Sequence, residues 1–250
     1  MLQVKNVKFG EGQPKICVPL VGRTKEELIE QATKANASGA DVVEWRVDYF
    51  EAVTQTEFVI ETLLALRETL KDKLLLFTFR TLAEGGEQEL SLTAYKELCL
   101  AVAATKVIDL IDIELVQVEY LGREFIANLK ANNVKIIMSS HDFEKTPDDA
   151  TLVFRVNVMN QLGADIGKLA MMPQQLTDVL RIMGIVSKVR GFNQLPLAVM
   201  AMADLGKVTR ISGELIGSVL TFGSLEQASA PGQIPVEQLK ETLDILKLEK

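Results

Sequence analysis

The sequence has one histidine, two cysteines and no apolar stretch approaching membrane-spanning length, and each scarcity closes off a class of function. With His141 alone, zinc sites built on two or three histidines are impossible. Cys17 lies in an apolar strand-like run and Cys99 in an amphipathic helix-like run. They read as reduced core residues of a cytosolic protein, not as a disulfide framework. Basic residues are outnumbered, 27 against 34 acidic ones, and the net charge is −7. Their scatter argues against nucleic-acid binding and supplies no polybasic membrane anchor. The opening Met1-Leu2-Gln3-Val4-Lys5-Asn6-Val7 has no signal-peptide hydrophobic core, so a soluble, cytoplasmic protein is expected. No G-x-G-x-x-G opens a helix and no G-x-x-x-x-G-K-[ST] occurs, which removes the two commonest doubly wound nucleotide sites.

What is present is ordinary globular composition, 48% hydrophobic and 24% charged, over 250 residues. Short aliphatic and β-branched runs recur at about 16–21, 41–48, 73–80, 107–114, 134–140, 165–171, 195–202 and 217–222. Their starts are mostly 22 to 34 residues apart, the length of a strand plus a returning helix. Thr24-x-x-Glu27 and Thr54-x-x-Glu57 read as capping boxes. Thr146-Pro147-Asp148-Asp149 reads as a cap followed by an N1 proline and acids. Pro173 and Pro235 are placed to open the sixth and last helices, and the connection at 203–216 leaves room for only an abbreviated helix. Eight such units with near-continuous apolar strands predict a parallel sheet buried on both faces. In about 250 residues the expected form is a closed (β/α)8 TIM barrel, one catalytic domain over 1–250, with a short N-terminal hairpin across its bottom.

Chemistry in such barrels sits at the C-terminal ends of the strands. Side chains alternate along a strand, so Val43, Trp45 and Val47 face the helices while Glu44 and Arg46 face the barrel mouth. Arg80 ends the third strand, with Glu84 beyond it in a loop with Gly85-Gly86. Asp112 and Glu114 share a face on the fourth, His141 ends the fifth, Lys168 is on the sixth, and Met200 and Met202 end the seventh. Tyr49, Phe79 and Phe143 adjoin these positions and either wall the pocket or belong to the core. Ser229-Ala230-Pro231-Gly232-Gln233 is a turn or a lid over the mouth.

Lys168 stands inside Ile166-Gly167-Lys168-Leu169-Ala170-Met171, where an ammonium loses several kcal/mol of hydration. It is either a core lysine paired with a carboxylate or a nucleophile, since desolvation favours the neutral amine that attacks a carbonyl. Convergence of charged residues on successive strand ends favours the second reading. Asp112 and Glu114 could bind Mg²⁺, but Arg46, Arg80 and Lys168 would repel it, so Asp112 is expected to balance Lys168 and no metal is expected. An amine, a histidine and converging arginines suggest imine chemistry on an anionic keto compound, as an aldolase or a dehydratase.

Glu44-Trp45-Arg46-Val47-Asp48, Ser139-Ser140-His141-Asp142-Phe143, Gly167-Lys168-Leu169-Ala170 and Ser229-Ala230-Pro231-Gly232-Gln233 together resemble the type I 3-dehydroquinate dehydratases. Arg210-Ile211-Ser212-Gly213-Glu214, Gly217-Ser218 and Thr221-Phe222 match as well, and the likeness runs from about residue 15 to 235 in the family's order. The chain departs at Met202-Ala203-Asp204, where a glycine is common after the methionine region, and at Thr209, where serine is common. It also departs at Pro19, often a serine, so the first strand is assigned no substrate contact.

The resemblance implies conversion of 3-dehydroquinate to 3-dehydroshikimate plus water in the shikimate route to aromatic amino acids. It implies that Lys168 forms the imine, His141 moves the protons and Glu84 orients His141. It further implies that Arg210 clamps the substrate carboxylate, while Glu44, Arg46, Arg80, Ser229 and Gln233 hold hydroxyls and carboxylate. No cofactor is implied, and family members are commonly homodimers. A phosphate-binding aldolase or transaldolase would share Lys168 but would want a phosphate cradle after strands seven and eight. A silent metabolite-binding barrel would tolerate loss of Lys168 or His141.

Overall fold

Strand and helix alternate along the chain because its apolar periodicity does. The computed structural model describes residues 1–226 and 229–249. Two short strands, β1 (Leu2–Val4) and β2 (Val7–Phe9), form an antiparallel hairpin. Then come β3 (Lys15–Leu20), α1 (Lys25–Ala37), β4 (Val42–Arg46), α2 (Thr56–Leu70), β5 (Leu74–Thr78), α3 (Leu92–Ala104), β6 (Leu110–Glu114) and α4 (Leu115–Lys130). The second half holds β7 (Lys135–Asp142), α5 (Asp149–Gln161), β8 (Ile166–Met171), α6 (Leu176–Val189) and β9 (Leu197–Ala201). It ends with α7 (Lys207–Ile211), α8 (Gly213–Ile216), β10 (Leu220–Ser224), β11 (Ile234–Pro235) and α9 (Val236–Ile245). As expected, the connection after β9 holds only abbreviated helices.

Strands β3 to β9 pair in chain order, all parallel, and β10 pairs back onto β3. Between β9 and β10 a bridge joins Leu197 to Ser218, and the Val219 N–H donates to the Leu197 carbonyl at 2.8 Å. The ring is thereby closed into the anticipated barrel, to which β11 adds a short parallel partner on β10. Alternation divides the core in two. Val43, Trp45, Leu75, Phe77, Ile111, Ile113, Ile136 and Met138 pack under the helices. Trp45 meets Phe50 and Phe77 edge-on, each with ring centroids 5.7 Å apart. Inside, Cys17, Val42, Leu74, Leu76, Leu110, Ile137, Ile166 and Leu220 form one cluster with Val4 and Phe9 of the hairpin. The hairpin therefore seals the bottom, and Lys5 ties it to Asp109 at 2.7 Å.

Register is held by a recurring device. Asp41, Asp109 and Asp165 stand just before β4, β6 and β8. Each donates its backbone N–H to one residue of the preceding strand and accepts that residue's N–H on its carboxylate. For Asp41 the partner is Ile16 (2.9 and 2.8 Å), for Asp109 Leu75 (2.9 and 2.9 Å), and for Asp165 Ile136 (2.9 and 2.9 Å). Three residues beyond these clamps come Glu44, Asp112 and Lys168. The clamps thus reinforce the ladder register that fixes the height at which each charge enters the barrel.

Helix starts follow the expected residues less closely. Thr24 accepts the Glu27 N–H at 3.3 Å, but the Glu27 carboxylate reaches back to Arg23 N–H at 2.7 Å, one residue outside a standard box. No box forms at Thr54: turn bonds from Val53 to Phe50 and from Gln55 to Ala52 carry the chain on, and α2 starts at Thr56. The cap of α5 is Asp148, which accepts Thr151 N–H at 2.7 Å, whereas Thr146 donates to the Met172 carbonyl. An ionised carboxylate is the stronger acceptor for a helix's first amides. Pro173 lies ahead of α6, whose entry is held by Asp178 accepting the N–H groups of Gln174 (3.0 Å) and Gln175 (3.2 Å). Pro235 does directly precede α9.

Candidate active site

The mouth of the barrel holds a small cavity lined by Lys168, His141, Glu84, Glu44, Arg46, Arg80, Arg210, Ser229 and Gln233, every site residue expected from the sequence. Phe143, Ala170, Met200, Met202, Phe222 and Ala230 complete its wall. A wider open hollow at the opposite end, lined by Met183, Arg190, Asn193 and Leu215 among others, contains none of these charges. At the mouth, by contrast, four cations and two carboxylates face one concavity.

Lys168 is 5% exposed. Its Nζ donates to Asp112 Oδ2 at 3.0 Å and lies 4.4 Å from the centre of the Phe222 ring. Asp112 serves two cations, because Arg80 Nη2 approaches its Oδ1 at 2.9 Å. Ser139, directly across the ladder from Lys168, donates to the same Oδ1 at 2.6 Å. Burial would raise the Asp112 carboxyl, but Arg80 and Lys168 outweigh it and pull it down to about 2. Arg80 Nη1 in turn donates to Glu114 Oε1 and to Ser139 Oγ, both at 3.0 Å. Burial works against the Arg80 guanidinium, but Asp112, Glu114, Glu84 and Glu44 more than offset it and hold it charged.

His141 pairs across the ladder with Ala170, two residues beyond Lys168, so the imidazole sits one layer above the amine on the adjacent strand. Its Nδ1 is 2.8 Å from Glu84 Oε2, and its backbone N–H donates to the same oxygen at 3.1 Å. Nε2 is thereby left for a ligand. Burial, then Arg80, Lys168 and Arg46, hold the imidazole well below its ordinary 6.5. Burial and Glu114 push the Glu84 carboxyl the other way, up to about 8, against the opposing pull of Arg80 and the His141 amide. The two shifts belong to one hydrogen-bonded pair. Glu84 ends a 3₁₀ turn, Leu82–Glu84, closed by Gly85 in the left-handed region at φ 84°. A side chain at Gly85 would collide with the Phe143 ring, its Cβ falling 2.4 Å from that ring.

On the third wall, Thr78 donates to Glu44 Oε1 at 2.8 Å. Arg46 is gripped by Asp48 through Nε and Nη2, both at 2.7 Å, with Tyr49 stacked beneath its guanidinium at 5.0 Å. Arg210 differs from the other cations. Among the described residues no carboxylate pairs with it; it donates to the Phe222 carbonyl at 3.3 Å and the Pro231 carbonyl at 3.0 Å, and its Nε has no partner. Burial alone lowers it to about 10. The segment holding Ser229 and Gln233 closes on itself, Ser229 N–H donating to Gln233 Oε1 at 2.9 Å and Gln233 Nε2 to Ser229 Oγ at 3.1 Å. Its Pro231 carbonyl also accepts the Ala203 N–H at 3.3 Å. Ala203 itself stands at φ 57°, the left-handed conformation that a glycine adopts without strain.

Of the flanking aromatics, only Phe143 lines the cavity; Phe79 faces the helices against Tyr95, and Tyr49 supports Arg46. Pro19 is off the cavity wall. Asp48, Thr78, Ser139 and Phe222 were not singled out by sequence reasoning as parts of the site, although Ser139 shares a strand face with His141 and Asp48 follows Arg46 at the next period-two position. Among the described residues, no three His, Cys, Asp or Glu side chains gather as a metal site, and no helix is long and apolar enough to cross a membrane.

This geometry can be set beside known proteins. The sequence profile of the type I 3-dehydroquinase family matches residues 16–250. The 3-dehydroquinate dehydratase of Clostridium botulinum (strain Eklund 17B / Type B) is 45% identical over 247 residues, 98% of this chain and 97% of that one. The 3-dehydroquinate dehydratase of Bacillus subtilis (strain 168) is 43% identical with the same coverage. Among solved structures, the type I 3-dehydroquinate dehydratase of Clostridium difficile superposes with a TM-score of 0.95 at 41% identity, covering 98% of this chain and 97% of that one. The profile, the relatives and the superposition span nearly the whole length, and the chain belongs to the type I 3-dehydroquinase family.

Proposed function

We propose that this chain dehydrates 3-dehydroquinate to 3-dehydroshikimate by syn elimination through an imine on Lys168. The observation that carries the reading is the pairing of a buried amine with an imidazole one layer above it on the neighbouring strand. Both line one cavity, where a bound keto acid would lie against each. The Clostridium difficile relative was solved with covalently modified comenic acid, which fits a family site able to form a bond to its ligand.

Lys168 Nζ, once deprotonated, attacks the ketone carbon; loss of water from the carbinolamine leaves a protonated imine. The imine withdraws electrons from the adjacent methylene. His141 Nε2 removes one proton there, and the electron pair becomes an enamine. Elimination of the β-hydroxyl follows, the imidazolium returning its proton to the departing oxygen as water. Attack of a second water on the imine releases the product and the lysine. One base delivering and receiving the proton on one face makes the elimination syn. The base is competent when Nδ1 carries a proton toward ionised Glu84, which leaves the Nε2 lone pair free. Asp112 bonds both Lys168 and Arg80 and so holds Lys168 Nζ in place at the cavity wall. Arg210, with no carboxylate of its own, takes the substrate carboxylate, the anion its buried guanidinium lacks. Glu44, Arg46, Arg80, Ser229 and Gln233 hold the remaining oxygens.

The same reading gives one catalytic domain over residues 1–250, homodimeric and cytoplasmic, serving the shikimate route to aromatic amino acids without cofactor or metal. Borohydride added with 3-dehydroquinate should inactivate the protein and leave substrate-derived mass on the Lys168 peptide. Lys168→Ala should fold, take up no label and lose turnover. A Lys168→Ala protein that still takes up label, or a wild-type chain that turns over with Lys168 unmodified under trapping, would refute the imine.

A further inference from the structure

Asp48 is fully buried and lies in a short 3₁₀ turn directly after β4, away from the cavity wall. Its carboxylate accepts four hydrogen bonds in a symmetric arrangement. Oδ1 takes Arg46 Nε at 2.7 Å and the Arg80 backbone N–H at 3.3 Å; Oδ2 takes Arg46 Nη2 at 2.7 Å and the Glu87 backbone N–H at 3.2 Å. Arg80 and Glu87 are the two ends of the loop that carries Glu84. Inside that loop, Glu84 N–H and Gly86 N–H both donate to the Thr81 carbonyl, at 3.1 and 2.8 Å. Just beyond it, Gln88 Nε2 donates to the Asp48 carbonyl at 2.8 Å and to the Phe50 carbonyl at 2.9 Å. One carboxylate therefore pins both feet of the loop and one guanidinium at the same time.

We infer that Asp48 is a positioning residue for the His141–Glu84 pair, acting through the 80–87 loop. The inference rests on the imine reading above and deepens it. An ion pair with Arg46 alone would need only the two guanidinium bonds. The two loop amides use the remaining lone pairs of the carboxylate, and they come from 32 and 39 residues downstream. Glu84 reaches His141 through a single oxygen, Oε2, so a small displacement of the loop breaks both His141 contacts together. Lys168 depends on Asp112 instead, and Asp48 makes no contact with that pair.

In Asp48→Asn one oxygen becomes an amide N–H group facing one Arg46 donor and one loop amide, so one foot of the loop is released. The kcat should fall about 10- to 100-fold, the loss expected when a catalytic group shifts by about an ångström. The acid limb of the kcat–pH profile should move, and adding Asp48→Asn to Glu84→Gln should lower kcat little further, because both changes act through one contact. Borohydride trapping on Lys168 should persist in Asp48→Asn. Absence of trapping in the wild-type chain would instead condemn the imine reading itself, which separates the two failures. Gln88→Leu, half-buried and off the cavity wall, releases the same foot more gently and should lower kcat several-fold with faster amide exchange across residues 80–87. A folded Asp48→Asn protein with wild-type kcat and pH profile would overturn the inference. Full additivity with Glu84→Gln, or a Gln88→Leu protein unchanged in both kcat and loop exchange, would do the same.

Discussion

Glu84 shows how a single residue trades stability for chemistry. In an unfolded chain its carboxyl ionises near the ordinary 4.5, whereas burial and the neighbouring Glu114 push it up to about 8 in the fold. The folded chain therefore keeps a proton that the unfolded chain has lost. The stability this carries is complete below pH 4.5 and is lost as pH rises to about 8. Glutamine has no charge to bury. Glu84→Gln is accordingly expected to melt like wild type near pH 4 and to be more stable by a few kcal/mol above pH 8, with turnover down about 10²-fold. Thermal melts across pH with parallel assays check both; a variant no more stable at pH 9 than at pH 4, relative to wild type, would show that the fold does not strain this carboxyl. Asp112 has the opposite sign: held at about 2, it contributes stability above its ordinary 3.8 that is lost only as pH falls toward 2.

Among elements, the aspartate clamps reinforce the register at which the charges enter the barrel. Asp109 receives Leu75 N–H, Arg67 and Lys5 together, and it lies at the bottom, far along β6 from the mouth. Asp109→Ala leaves a buried amide without an acceptor and the half-buried Arg67 guanidinium without its counter-charge, a cost of about 2–3 kcal/mol, or roughly 5–10 °C in Tm. The ladder pairs Leu76–Leu110, Phe77–Ile111 and Thr78–Asp112 still hold Asp112 in register, so at 25 °C KM and kcat should match wild type; a fall in kcat in the folded variant would mean that the ladder does not hold Asp112 without the clamp. Strands were legible in the sequence because a residue buried on both faces must be apolar over its whole run. Period-two alternation then put Glu44, Arg46, Asp112 and Lys168 inside. Helix caps were less legible, since several candidate acceptors stand near each start and local turns select among them, as at Thr146 and Asp148. The hub at Asp48 was illegible for a different reason. Two of its four donors are backbone amides, which every residue carries, and their approach depends on a loop path that no side-chain pattern records.

For the whole molecule, chemistry and closure lie at opposite ends. The N-terminal hairpin buries Val4 and Phe9 in the lower barrel, worth about 1.5–3 kcal/mol per side chain. Deleting residues 1–10 should lower Tm by roughly 10 °C while leaving kcat at 25 °C unchanged, which calorimetry and assay decide. A truncated protein that is folded but slow would show that the hairpin reaches the mouth. The packed axis has one more consequence. Beneath the Glu44, Asp112 and Lys168 tier stand Cys17, Leu76, Leu110 and Ile137, capped by Phe9, so among the described residues the floor is buried and apolar. Among the described residues, hydrogen ions thus meet the cavity from the mouth side, whose wall includes Ser229 and Gln233, and a ligand filling that mouth would fix the number of exchangeable protons it shares with the imidazole until it leaves.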